Sequence, residues 1–344
     1  MKVKILSAIL FTLLSLQLSA QKITSRKKFF VADEPVIATL KTNFYKLSTN
    51  KKDSTFQPAT LTWHNADTTG DVSEQIGVKL RGYYRKDFCS FAALTFNFKD
   101  STKKSKLKNF KQLKIVVPCE WGTEDEQYLL KEYMVYKIYQ LFTDLSFRVR
   151  LMQFRFEDNS GKIKPYKQYG FAIEPVDDLA KRNNCKEQSN RKVLSEQTNR
   201  LHTTFVSIFE YMIGNSDWAI PPHHNIKIVA PKDSLTVPPY IVPFDFDFSG
   251  AVNAIYATPP LNSDLTKVTE RKYMGFKRSL EEVRPIVAGF LEKEQSVYKL
   301  INDFTLFKPE TKKEMTAFLE SFFNEIRDEK KVQKIFVDGA RVSK

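Results

Sequence analysis

Four side chains between residues 217 and 247 have the types and spacing for metal-assisted phosphate chemistry. Asp217 lies in the polar turn Gly214-Asn215-Ser216-Asp217, behind an apolar segment. Asn225 opens the β-rich run NIKIVA. Asp245 and Asp247 follow the strand YIVPF as Asp245-Phe246-Asp247. Oxygen-only ligands on neighbouring strand ends suit a hard cation such as Mg²⁺, which also takes up phosphate oxygens. A loop carboxylate, an amide a few residues on and a carboxylate at the next strand end are the parts of a phosphotransferase: one group to orient an acceptor hydroxyl and two metal ligands. Singly each has a plainer reading, Asp217 as a turn residue or helix cap and Asp245-Phe246-Asp247 as a weak tripeptide. Their pairing across one hairpin argues for chemistry.

Such a site also needs a basic group on the phosphates. The β-rich half offers Lys79, Arg81, Arg85 and Lys86 in VKLRGYYRKDF and Lys114 in QLKIVV. Glu132, on an apolar helix, is the candidate to align one of them, because a buried acid without a cationic partner is expensive. His223-His224 invites a transition-metal reading, and with it a metal-dependent hydrolase that uses His224. Adjacent residues of an extended segment point opposite ways, which argues against both binding one metal. The chain has no HExxH, no GxSxG and no Walker-type lysine loop, and only 11 glycines.

The elements that must hold these groups follow from periodicity. VIATLKTNFYKL, TFQPATLTWH, EQIGVKLRG, FAALTFNF and QLKIVVP read as strands. The first two are expected as a small accessory sheet. Glu124 to Phe142 reads as a mostly buried helix, and VRLMQFRFED and YKQYGFAIEP as a strand pair closed by Glu174. The second half is more helical, with helices at 201–212, 280–303 and 310–336 around the hairpin NIKIVA/YIVPF. The order predicts an α+β chain of two lobes: 21–72 a β-rich extension, 73–175 a β-rich lobe and 176–344 a helical lobe.

With 344 residues, 42% of them hydrophobic, the chain can build a substantial core. Its net charge of +14 suits anionic partners such as a nucleotide, an acidic or phosphorylated protein, a polyanionic glycan or a membrane surface, or serves solubility alone. No basic helix or aromatic-basic platform points to nucleic acid. Residues 1–20 carry Lys2 and Lys4, an apolar run and Leu18-Ser19-Ala20, the pattern of a secretory signal peptide cleaved near Ala20-Gln21. The expected product is periplasmic or secreted and has no transmembrane segment. Among three cysteines, Cys89 and Cys119 are the first choice for a disulfide, the alternative being three buried thiols.

At this point VKLRGYYRKDFCSFAALTFNF, LKNFKQLKIVV, EDEQYLLKEYMVYKIYQLFTDLSFRVRLMQFRF, QYGFAIEPVDDLAKRN, YMIGNSDW and PYIVPFDFDFSGAVNAIYATPP, in that order, carry a resemblance. The chain resembles the spore-coat CotH-type atypical kinase family, and more closely an uncharacterised secreted bacterial branch beside it. The resemblance covers roughly Val78 to Pro260. It implies a bilobal atypical protein-kinase-like fold, with a β-rich N-terminal lobe and a helical C-terminal lobe. It also implies binding of ATP with Mg²⁺ (or Mn²⁺), and phosphorylation of a secreted or surface protein. By position, Asp217 matches the family's catalytic-loop acid, Asn225 and Asp245 its metal ligands, and Glu174 the acid beside the nucleoside, with Arg85 or Lys86 as the basic residue. Pro221-Pro222-His223-His224 lengthens the interval from Asp217 to Asn225 beyond the usual kinase spacing. A non-catalytic, pseudokinase-type binding module is the runner-up.

Overall fold

The computed structural model describes residues 25–342, except 65–69, 83, 100–106, 108, 121–122, 189–192, 235 and 262. The segment read as a signal peptide lies outside the described residues. Among the described residues ten strands and nine α-helices follow in chain order: α1 (Ser25–Val31), β1 (Val36–Thr42), α2 (Phe44–Thr49), β2 (Gln57–His64), β3 (Asp71–Leu80), α3 (Tyr84–Phe88), β4 (Leu94–Asn97), β5 (Gln112–Val116), α4 (Thr123–Phe142), β6 (Val149–Asp158), β7 (Tyr166–Ile173), α5 (Val176–Arg182), β8 (Cys185–Glu187), α6 (Arg200–Met212), β9 (Ile226–Pro231), β10 (Tyr240–Pro243), α7 (Leu280–Asp303), α8 (Pro309–Ile326) and α9 (Glu329–Val332).

Seven strands close into one mixed barrel in the order β1-β2-β3-β4-β5-β7-β6. Every pairing is antiparallel except the closing one, where β1 runs parallel to β6 with Val36 opposite Met152. This overturns the expected bilobal kinase-like fold, with its β-sheet lobe followed by a helical lobe: the described residues form a closed barrel, with helices mainly later in the chain. The physical reason lies in β1 and β2. They do not stand apart as an accessory sheet but bridge β3 to β6 and remove both open edges, the usual way a sheet avoids exposed strand edges. The expected boundary at residue 72 therefore falls inside β3.

Alternation explains the barrel. Along β3 the side chains of Ile76, Val78 and Leu80 are buried, and the odd-numbered positions lie on the outer face. A core of aliphatic and aromatic side chains fills the interior, including Leu40, Leu61, Phe96, Ile115 and Phe154, all buried. The outer face is covered by α4, whose Tyr133, Tyr136 and Tyr139 are buried among the helices and β7. A second, three-stranded antiparallel sheet, β10-β9-β8, sits in that larger helical core. Among the described residues no helix is long and apolar enough to cross a membrane.

Cys89 and Cys119 form a disulfide, as the sequence suggested, and Cys185 is a buried free thiol. The bridge joins the end of α3 to the segment after β5.

Candidate functional site

The β9–β10 hairpin and the turn after α6 bring the acidic and amide groups together. Asn225 stands just before β9, with φ at +51°, and Asp245 just after β10, with φ at +67°. Such backbone is uncommon for residues other than glycine and marks positions held by their surroundings. The Asn225 Nδ2 donates to Asp217 twice, at 2.8 Å to its backbone oxygen and at 2.9 Å to Oδ2. His224 Nε2 lies 2.8 Å from Asp217 Oδ1. Burial raises the Asp217 carboxyl above its usual range, and the hydrogen bonds from His224 and Asn225 oppose that rise.

Behind Asp217 stands a buried acid that sequence reasoning passed over. Glu210, on α6, accepts the Asn215 Nδ2 at 2.9 Å, and Asn215 Oδ1 in turn accepts the Asp217 backbone N–H at 3.0 Å. Burial pushes Glu210 up to about 8. Its apolar helix context masked it.

Asp245, Asp247 and Glu132 all act on the Arg85 charge, and Arg81 is a second cation acting on Glu132. Asp247 is buried, accepts the Tyr256 hydroxyl at 3.2 Å, and is pushed up to about 7 by burial and by neighbouring Asp245. Glu132 is only 2% exposed, its Oε1 has no hydrogen-bond partner, and burial raises it well above the usual carboxylate range. Burial works against the Arg85 charge, but Tyr256, Asp247, Glu132 and Asp245 around it outweigh that cost and raise its pKa. The Arg85 Nη2 also donates to the Val117 carbonyl at 2.5 Å. Because Cys89 and Cys119 flank these two positions, the disulfide ties the Arg85 helix to the strand end that holds it. Tyr256 is not among the residues that sequence reasoning singles out; an aromatic with a polar tip soon after two acids is the available signal.

A cleft of about 250 Å³ opens beside the cluster, on the outer face of the barrel. Phe147, Ile173, Val176 and Phe244 give it apolar walls, and Arg81, Lys114 and Lys227 give it three cations. Lys114 keeps exposed surface, yet its ammonium lies 5.4 Å from the Phe244 ring centre. Desolvation first, then Arg81 and Lys227, bring its pKa down to about 8, while Asp245 pulls the other way.

The other expected residues are placed elsewhere. Lys79 shares the outer barrel face with Lys114, across Thr95, but its ammonium lies over the Phe56 ring at 4.6 Å. Lys86 acts on Asp53, not on the acidic cluster. Glu174 lines the cleft, but its carboxylate is committed to Arg182 Nη2 at 3.0 Å and to the Arg148 N–H at 3.1 Å. These bonds pin the chain after β7.

Among the described residues no group of three or more His, Cys, Asp or Glu side chains is disposed to hold a metal ion by itself. Mg²⁺ does not require such a cage, since it is commonly held by one or two carboxylates and substrate phosphates. The excess of acids over cations around Asp245 and Asp247 fits a bound cation of that kind. No protein-family model matches the chain, and no curated protein matches it in sequence.

Proposed function

We propose that the chain transfers a phosphoryl group from ATP to a hydroxyl of a secreted or surface protein, in the manner the CotH-type resemblance implies. One observation carries this reading: Asp217, Asn225, Asp245 and Asp247 gather at one end of the β9–β10 hairpin, next to a cleft with apolar walls and basic side chains. Phosphoryl transfer depends chiefly on positioning and charge stabilisation. The apolar walls suit a flat base, and Lys114 and Arg81 suit phosphate oxygens. Asp217 orients the acceptor hydroxyl and takes its proton as the new O–P bond forms and ADP leaves. Asn225 and His224 hold Asp217 in place. The Asn225 amide nitrogen is spent on Asp217, so only its Oδ1 remains as a ligand atom. Mg²⁺ or Mn²⁺ held by Asp245 and Asn225, with Asp247 assisting, would neutralise phosphate charge.

A second reading has its own observation. Both Asp217 oxygens already carry partners, Oδ1 from His224 and Oδ2 from Asn225. A non-catalytic module that binds nucleotide or a polyanion is consistent with that. A thermal melt with and without ATP and Mg²⁺, followed by a transfer assay, separates the two. Ligand at a hundred times its dissociation constant stabilises by about 2.7 kcal/mol. A shift that needs both components and disappears in Asp245→Asn supports the site. No shift at millimolar nucleotide overturns it. Transfer lost in Asp217→Asn while the shift persists supports the kinase reading; a shift without transfer supports the binding module.

A further inference from the structure

A second cavity, of about 600 Å³, lies between α7, the start of α6, the end of α4 and β10, lined by none of the acidic site residues. That volume is within the range of small-molecule sites. On α7, Pro285 and Gly289 stand one turn apart on the face that lines it. A Cβ at Gly289 would meet nothing within 4 Å. Glycine inside a helix costs about 1 kcal/mol relative to alanine, a cost normally offset by close packing. No protein neighbour occupies the space here, so a side chain at this position would project into the open cavity.

The facing wall is aromatic. Phe142, Phe205 and Tyr240 line it half-buried. His202 sits among them, its ring 5.4 Å from Tyr240 at 81° and 5.7 Å from Phe205. Its Nε2 is 2.9 Å from the Ile241 carbonyl oxygen. That oxygen only accepts, so Nε2 carries the hydrogen, and burial keeps the ring neutral by pulling it down to about 4. Nδ1 is thereby the ring's acceptor. At the rim, Glu292 and Lys293 are adjacent and opposite in charge, which gives an ion no net preference.

We propose that this cavity is a binding site for a small, uncharged ring compound bearing one hydrogen-bond donor, which lies against the aromatic wall over Gly289 and donates to His202 Nδ1. The proposal does not rest on the phosphotransferase reading. The test uses 2-naphthol as probe and naphthalene, which lacks the donor, as its control, titrated into the folded full chain by ligand-observed NMR. Saturable, sub-millimolar binding of 2-naphthol is expected, with naphthalene at least several-fold weaker. Gly289→Leu should abolish binding without lowering the melting temperature, because its side chain enters open space. His202→Phe should keep ring binding but erase the preference for 2-naphthol. Equal binding to Gly289→Leu, equal affinity for the two probes in the unmodified chain, or no saturable binding of 2-naphthol would overturn the proposal. Gly289→Ala provides the fold control, with stability equal or higher and 2-naphthol binding weakened.

Discussion

Asn225 holds Asp217 by two hydrogen bonds from a single amide nitrogen, one to its backbone oxygen and one to its carboxylate. The loop between them is thereby closed by the same residue that would offer Oδ1 to a metal. Asn225→Ala should lower stability by about 0.5–1.5 kcal/mol, the net worth of a typical hydrogen bond, because the Asp217 acceptors it leaves are only half-buried. It should also reduce nucleotide- and metal-dependent stabilisation. Denaturant titration and melts with ATP and Mg²⁺ measure the two effects separately.

Arg85 feels the charge of three acids, Asp247, Glu132 and Asp245. Arg85→Met should cost about 3–5 kcal/mol, as expected when one member of a buried charge set is removed. Adding Glu132→Gln should recover part of that loss, because the acid left behind is then uncharged. A double-mutant cycle in urea checks this, and strictly additive effects would show that the two side chains do not interact.

Stability should fall on the alkaline side through Glu210. Its folded-state pKa, about 8, lies above the ordinary glutamate value of 4.5. The folded state therefore binds the proton more tightly than the unfolded chain does. That contribution is complete below about pH 4.5 and drains away as pH rises through about 8. Each unit of difference is worth about 1.4 kcal/mol. Glu210→Gln, which cannot ionise, should flatten this slope, and chemical denaturation between pH 5 and 9 would reveal it.

Reducing the Cys89–Cys119 bridge should act on both stability and the site. In the chain-entropy view, a loop of this separation contributes about 3–4 kcal/mol. The Arg85 helix would also lose its tether beside Val117. The paired serine variant should melt lower, and the coupling measured between Arg85 and Glu132 should weaken with it.

Local patterns told most about the elements and least about their neighbours. The helix expected at Glu124 to Phe142 is observed at Thr123–Phe142, and α7 has the expected bounds. A long, nearly all-round apolar run sufficed for α4 and amphipathic 3.6-residue periodicity for α7. Barrel closure was not legible, because alternation tells which face a residue of β1 takes and not that β6 lies beside it. Arg85 and Lys86 are adjacent in sequence. Only the five-residue helix α3, absent from the periodicity, directs one to the acids and leaves the other near Asp53. The loop acid, the amide and the two strand-end acids were readable from composition and spacing. Glu210 and Tyr256 were not, since one is hidden in an apolar helix and the other in a segment without regular structure.

The parallel seam between β1 and β6 has a consequence for how the chain is made. As the ribosome delivers the polypeptide, β1 is complete long before Val149–Asp158 exists. Until then one edge of β1 has no partner and can recruit strands from other molecules. Such long-range pairing is slow and leaves intermediates open to aggregation. Export of an unfolded chain, or a chaperone that shields that edge, would spare it this interval. Variants that weaken β6 should consequently show up first as lost soluble yield, before any change in the melting temperature of the molecules that do fold.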